Sequence, residues 1–531
     1  MQRITPSSLV AVMLMLAAAN VAAAENMPWP PPLPGVVAGA ISVSSGKLLE
    51  VPATPPVPDR GAAVPFVVAK TPPKVDLYFH GDLGPDAGSR PLWSSWGDLC
   101  VATDGKVYVS IGDHGRDKAG DARCFVHCFD PRTKRLTRVV DMNEVVPPKE
   151  GRVSWSKIHA GLHEAADGKI YFTCTLNDSR NAGKPDFRWD ELLPGGQLYQ
   201  YDPATGKTVA YLSLPPARNA SESLFDRRRN RWWCNLEGGP PTEERLWGVE
   251  LETKRVAEAP RGSMAKRRAF ALAADGSVFF NSDGPATRQF QLDEAARAVA
   301  LSEAKAKLAA ERAAWTKRVA EAKERGDKRP PAPQAPPALP PLEPPVESGR
   351  ILKWDATLNQ VVDVGIRLAG SPGMHVNPTR ESSDGYLYGV LWSTAQLFRL
   401  SAKDNTLTTL GLPWSAHSDT IHVIKLSHDE RFLYYLPGGH GGARLIGTPV
   451  IQYEIATGQR KVLAFLGPAF AEACEYTPAG TYGIGLSADD ATLYVNFNGS
   501  PSARLLPPGK TDAGGFGLTS FAVIEIPPSE R

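Results

Sequence analysis

Leu162–Phe172 reads LHEAADGKIYF, and the strand, turn and strand it spells decide the fold. Asp167-Gly168 is a tight-turn pair, and the β-branched and aromatic residues after it suit a short strand that returns along the first. The same phrase recurs at Leu99–Val109 (LCVATDGKVYV), Phe270–Phe280 (FALAADGSVFF), Glu381–Val390 (ESSDGYLYGV) and Leu486–Val495 (LSADDATLYV). Looser copies stand at Asp226–Trp233 (DRRRNRWW) and Leu426–Tyr435 (LSHDERFLYY). Each copy returns on an aromatic: Tyr108, Tyr171, Trp232, Phe279, Tyr388, Tyr434 and Tyr494. These anchors are roughly 45 to 65 residues apart except across one long insertion, a period that marks a β-propeller.

Outward from each hairpin the sequence adds a third strand that ends in a turn, as in CFDPRTK (128–134), YDPATGK (201–207), KWDATLN (353–359) and YEIATGQ (453–459). Asp-Pro and Thr-Gly place turn formers where the chain must reverse. A more polar fourth strand follows, such as 136–140 or 209–213. The expected fold is therefore all-β, a seven-bladed propeller of four-stranded antiparallel blades. The last unit is one strand short, and Val75–Phe79 is a spare strand at the other end, so an N-terminal strand is expected to close the ring and leave no exposed edge.

With 531 residues and 42% apolar content the chain can bury a large core, and the repeat argues for one closed domain. A net charge of +2 carries no basic stripe, so nucleic acid is not an expected partner. Residues 1–24 read as a secretory signal: Arg3, an apolar run over Leu9–Ala19, then small residues ending Ala22–Ala24. Cleavage near Glu25 would export the chain to the periplasm or beyond the cell, with no integral membrane span. Residues 25–73 form a Pro-rich extended lead-in, and 74–531 form the propeller. Residues 293–348 are an insertion within blade 4: strong helix formers capped by Asp293, then a Pro-rich return to Ile351.

Six cysteines would meet an oxidising compartment, yet Cys100, Cys174 and Cys234 lie within expected strands as buried thiols. In Cys124–Cys128 (CFVHC), strand alternation puts the cysteines on one face and His127 on the other, which disfavours a metal site.

Ligands of propellers bind where the innermost strands begin, because side chains from every blade converge there. Counting about twelve residues back from each anchoring aromatic finds Trp96, His159, Arg267, His422 and Tyr482, with His375 one residue out of register. Polar loops expected at the same end contribute His114, Arg116, Asn177, Asp178, Glu237, His440 and Asn498 as substrate-binding candidates, to which Arg380 is added. Gly438–Gly442 (GGHGG) precedes no helix and reads as a channel-mouth loop rather than a phosphate cradle. Several imidazoles side by side are costly to bury unless they serve a ligand or a metal.

Two chemistries fit. His159, His375 and His422 could hold a divalent metal through neutral ring nitrogens. Without metal, β-elimination from an acidic polysaccharide needs a cation for the substrate carboxylate, a base and an acid. Arg267 or Arg268 is the candidate cation, and the candidate base and acid are drawn from His159, His422 and Tyr482.

Through the DGKIYF and YDPATGK motifs, from about Val75 onward, the chain resembles the seven-bladed propellers of the quinoprotein-like and YVTN-like superfamily. Its His/Arg/Tyr channel is similar in kind to secreted propeller polysaccharide lyases such as oligogalacturonate and ulvan lyases. The motifs are fold signatures, so the resemblance implies the architecture, and the activity follows by analogy. The expectation is an exported monomer that binds a carbohydrate or other small polar ligand at the channel mouth, as a lyase acting on uronate-containing glycan. The alternative is a non-catalytic glycan- or protein-binding propeller.

Overall fold

A computed structural model of the protein describes residues 30–53, 64–83, 94–113, 122–148, 154–175, 195–238, 243–265, 269–335, 341–343, 345, 348–414, 421–506 and 516–531. The expected signal segment, 1–24, lies outside the described residues. Seven mostly antiparallel sheets form the blades of an all-β propeller.

Blade 1 runs Cys100–Val101, Val107–Gly112, Cys124–Asp130 and Arg135–Asp141 from the axis outward. Blades 2, 3 and 4 repeat that order, their inner strands being His163–Glu164, Ser223–Asp226 and Phe270–Leu272. In blade 6, Ile424–Leu426 is innermost, and Val67–Val68 of the lead-in adds a parallel strand outside Arg460–Phe465. Blade 7 begins with Tyr476–Leu486; Lys74–Phe79 pairs with Ser520–Glu525, and Ala40–Val43 pairs outside it. The lead-in thus widens two blades to five strands.

Blade 5 departs from the expected four strands. Its sheet has three, Tyr386–Val390, Leu397–Ser401 and Thr406–Gly411, among the described residues. The inner segment before them meets the sheet through separate contacts rather than a continuous ladder, among them His375 N–H to Val390 O (2.7 Å), Thr379 N–H to Tyr388 O (2.8 Å) and Tyr388 N–H to Thr379 Oγ1 (3.1 Å). Pro378 lacks the N–H that a continuous ladder would need there.

The hairpin phrase works through its turn. A left-handed residue sits in every copy: Gly105, Gly168, Gly276 and Gly385 in the regular ones, and Asn230, Glu430 and Asp490 in the others. A preceding carboxylate fixes most of the turns, as Asp104 accepts from Lys106 N–H (3.0 Å) and Asp167 from Lys169 N–H (3.1 Å). All seven anchoring aromatics are buried, contributing roughly 1.5–3 kcal/mol each by removal from water. Trp232, Trp233 and Trp247 are buried with them in the packing between blades. All six cysteines are buried free thiols.

Between Val278–Ser282 and Gly349–Asp355 of blade 4 a helix spans Pro285–Arg325 and ends on left-handed Gly326 (φ 74°). It starts at Pro285, upstream of the cap expected at Asp293, because proline's fixed φ suits the first helical turn. The chain then turns back along the helix: Trp315 Nε1 donates to Pro330 O (3.0 Å), and Arg329 lies 4.8 Å over the Trp315 ring. No helix among the described residues is long and apolar enough to cross a membrane.

Candidate functional site

The blades surround a channel with a cavity of about 960 Å³. The mouth is the end at which the inner strands begin, and there blades 1, 2, 5, 6 and 7 bring aromatic rings and imidazoles together. The His422 ring stacks on Tyr482 at 3.9 Å and 19°. His440 Nδ1 lies 2.5 Å from the Tyr482 hydroxyl, and His375 packs 5.0 Å from His422. Trp96 stands 4.8 Å from Tyr482 and stacks on Phe516 (5.3 Å, 8°), with Lys157 Nζ 5.1 Å from the Trp96 ring centre. His159 completes the set, 6.3 Å from Trp96 and 6.4 Å from Tyr482.

Backbone close-packing makes this convergence possible. A Cβ on Gly439 would come within 2.5 Å of the His422 ring, and one on Gly480 within 2.2 Å of Gly439 O. The glycine-rich loop therefore lies flat against the strand that carries Tyr482 and delivers His440 to its hydroxyl.

Each group has a defined state. His159 Nδ1 donates to Ser221 O (2.8 Å) and lies 3.3 Å from Glu222 Oε1, so the proton is on Nδ1 and Nε2 is the basic atom. Burial, with the neighbouring His375, His440 and His159, holds the His422 imidazole well below its usual range, hence neutral. Its Nε2 has no hydrogen-bond partner among the described residues. Burial, helped by Glu222, pushes the Tyr482 phenol well above its ordinary range, so it keeps its proton.

The structure sorts the remaining candidates. Glu237 is buried behind the mouth, accepting from Ser221 Oγ (2.9 Å) and Asn235 Nδ2 (3.3 Å), where it fixes the segment that carries Glu222. Asn498 accepts from Ser95 N–H (2.7 Å) and donates to Ser95 O (2.9 Å), which positions Trp96. Asn281 grips Met374 in the same way, beside His375. Arg380 sits at the opposite, turn end, where it pairs with Glu430 (2.7 Å) and donates to Ser427 O (2.7 Å). His114, Arg116, Asn177, Asp178, Arg267 and Arg268 lie outside the described residues. No group of three or more His, Cys, Asp or Glu side chains among the described residues is arranged to hold a metal ion, His159, His375 and His422 included.

Glu222, Lys157, Phe516 and Trp392, whose ring packs 3.9 Å from His375, were not reached by counting. The β-hairpin of blade 3 joins Phe225 to Trp232, one residue tighter than the Cys100–Tyr108 and His163–Tyr171 pairings. The count lands on Ala220, and correcting it for the tighter hairpin gives Ser221, one residue short of Glu222. Pairing register therefore brings the count to the neighbour of Glu222 and not to Glu222 itself.

No family model and no curated protein matches the chain. Among solved structures it is similar to an oligogalacturonate lyase in complex with manganese, at 10% identity and a TM-score of 0.46 over 88% of this chain and 99% of that one. The WD40 repeats of RRP9 give 8% and 0.46 over 85% and 97%. TolB from Acinetobacter baumannii gives 10% and 0.34 over 78% and 79%. Such likenesses reach no further than the propeller, which stands on its own strand pairing.

Proposed function

We propose that this protein is an exported propeller whose channel mouth binds a carbohydrate and cleaves it by acid–base β-elimination, the substrate being a uronate-containing glycan. The observation that carries the reading is the Tyr482–His440 contact at 2.5 Å, backed by the stacked His422 ring and faced by His159 with its Nδ1 proton tied down. That arrangement offers a protonated phenol and an unprotonated imidazole nitrogen on one cavity, an acid and a base of the kind elimination needs.

In the step envisaged, His159 Nε2 takes the proton on the carbon beside the substrate carboxylate. The electron pair left behind forms the carbon–carbon double bond as the glycosidic carbon–oxygen bond breaks. Tyr482 protonates the departing oxygen, and His440 supplies the hydrogen bond that steadies the phenolate. Trp96 and Phe516 give apolar ring surface for a sugar face. Export follows from the N-terminal signal pattern.

The test is ultraviolet detection of new carbon–carbon double bonds while the protein is incubated with a panel of uronate-containing polysaccharides. Rising absorbance with at least one supports the lyase. Binding without absorbance across the panel supports the non-catalytic glycan-binding alternative.

A further inference from the structure

Below the mouth the channel holds a second set of polar groups that the acid–base step leaves unused. Asp98, His163 and Lys425, from blades 1, 2 and 6, line the same cavity. Asp98 follows Trp96 by two residues and stands just before the inner strand Cys100–Val101 of blade 1.

The three side chains share one space. Lys425 Nζ donates to Asp98 Oδ2, and about a third of each side chain is open to the channel (31% and 33%). His163 Nε2 lies 2.8 Å from Ser223 Oγ, whose own proton goes to Gly161 O (3.4 Å). The hydroxyl therefore accepts from His163, placing the imidazole proton on Nε2 and the lone pair on Nδ1. A Cβ on Gly161 would lie 3.1 Å from His163 Cε1 and 3.6 Å from Asp98 Cβ, so the glycine keeps the gap between them open.

Asp98 does not depend on the lysine alone. Its Oδ1 accepts from Leu99 N–H (2.9 Å) and Ile484 N–H (3.2 Å). Lys425 has no second hydrogen-bond partner among the described residues, so its remaining N–H donors can meet another anion without stranding Asp98. On the other side of the axis Asn377 is a fixed strut: its Oδ1 accepts from Phe270 N–H (3.1 Å) and its Nδ2 donates to Ser223 O (3.2 Å). It ties blade 5 to blades 4 and 3, so its amide is used by the fold and not left for a ligand.

We propose that Lys425, flanked by Asp98 and His163, is an anion subsite that holds a carboxylate of the ligand beneath the mouth, so that the channel selects acidic sugars over neutral ones. The assignment rests on the carbohydrate reading of the mouth. An ammonium–carboxylate contact in a narrow, partly dehydrated channel is a charge-assisted hydrogen bond, whereas a neutral hydroxymethyl group at the same place gains no ionic partner.

The test is calorimetric binding of galacturonate, galactose and the sugar-free dicarboxylate malonate to the wild type and to Lys425→Met. Galacturonate is expected to bind the wild type about tenfold or more tighter than galactose. Lys425→Met should erase that advantage, leave galactose affinity unchanged and abolish malonate binding. An Asp98→Asn/Lys425→Met double variant, which leaves no unpaired charge behind, should bind as the single variant does, and Lys425→Arg should retain the preference. Equal wild-type affinity for galacturonate and galactose overturns the subsite and leaves the carbohydrate reading standing. Lys425-dependent malonate binding with no sugar binding keeps the subsite and removes the carbohydrate reading. A preference that survives in Lys425→Met, or no binding of any of the three, overturns the subsite.

Discussion

The two ends of the inner strands carry the same kinds of polar residue and use them differently. At the turn end, carboxylates reach across to the neighbouring blade. Glu164 accepts from Thr103 N–H and Oγ1–H (3.0 and 2.7 Å), Glu381 from Ala274 N–H (2.6 Å), Glu430 from Ser383 N–H (2.8 Å) and Asp490 from His428 N–H (2.7 Å). These contacts staple blades 1 to 2, 4 to 5, 5 to 6 and 6 to 7, so the hydrogen-bonding capacity of each acid is used by the fold. At the mouth, His159 Nε2 and the Tyr482–His440 pair face a cavity, and His422 is buried without a partner for Nε2 among the described residues. Polar groups consumed by the adjacent blade hold the ring together; polar groups left facing a cavity, at a cost in desolvation, are available to a ligand.

The contrast can be broken most decisively at Tyr482. Tyr482→Phe keeps the ring on His422 and removes only the hydroxyl. Turnover of the uronate glycan is expected to fall by about 10²–10⁴-fold with little change in thermal midpoint. Full activity in that variant would mean that the mouth does no acid–base work.

Glu164→Ala attacks the other end. It removes both bonds to Thr103 and the ion pair with Arg227 (2.8 Å). Urea unfolding should show a loss of about 2 kcal/mol while ligand affinity is retained. Affinity falling in step with stability would erase the distinction between the two ends.

The buried histidines and the turn-end carboxylate Glu430 should separate by pH. Burial lowers the pKa of His80, His127, His163 and His422, the second and third to about 4 from 6.5. These groups are neutral when folded and take up protons when unfolded, so stability falls as pH drops from about 6.5 towards 4. Glu430 at the turn end is brought down to about 2 from 4.5 by its hydrogen bonds to Ser383 and Arg380, acting against the opposing effect of burial. Its contribution is present above 4.5 and is lost as pH falls towards 2. Urea midpoints across pH should show the upper loss intact and the lower one reduced in Glu430→Gln. Stability that does not change between pH 7 and 4 would contradict the histidine states.

The smallest effect is expected from the insertion. Ser282 and Arg350 are paired neighbours, so a short turn can replace 285–348. The thermal midpoint should move by no more than a few degrees, because the helix buries only Ala322 among its described residues. A large loss would show that the insertion supports the ring.

The hairpins were legible because a tight turn demands a left-handed residue and the following aromatic demands burial, two requirements that leave a local mark at Asp167-Gly168 or Asp275-Gly276. Blade 5 was less legible: a periodic count cannot see that Pro378 interrupts its inner ladder. Trp96, His159, His375, His422 and Tyr482 were reachable because they stand at nearly fixed distances before their anchors. Glu222 stands one residue past Ser221, the position in blade 3 that corresponds by strand pairing to Trp96 and His159, so no count from the anchor reaches it, and Phe516 follows a long connection with no anchor to count from. The partners of Asn498 and Glu237 depend on contacts between segments far apart in sequence, so their polarity could be read and their positioning role could not.

The most direct measurement compares turnover and glycan affinity in a His159→Gln/His422→Gln double variant with the wild type. Loss of double-bond formation with affinity held within a few-fold is the predicted result. Turnover that persists, or turnover and affinity that vanish together, would contradict the assignment of the mouth as an acid–base site.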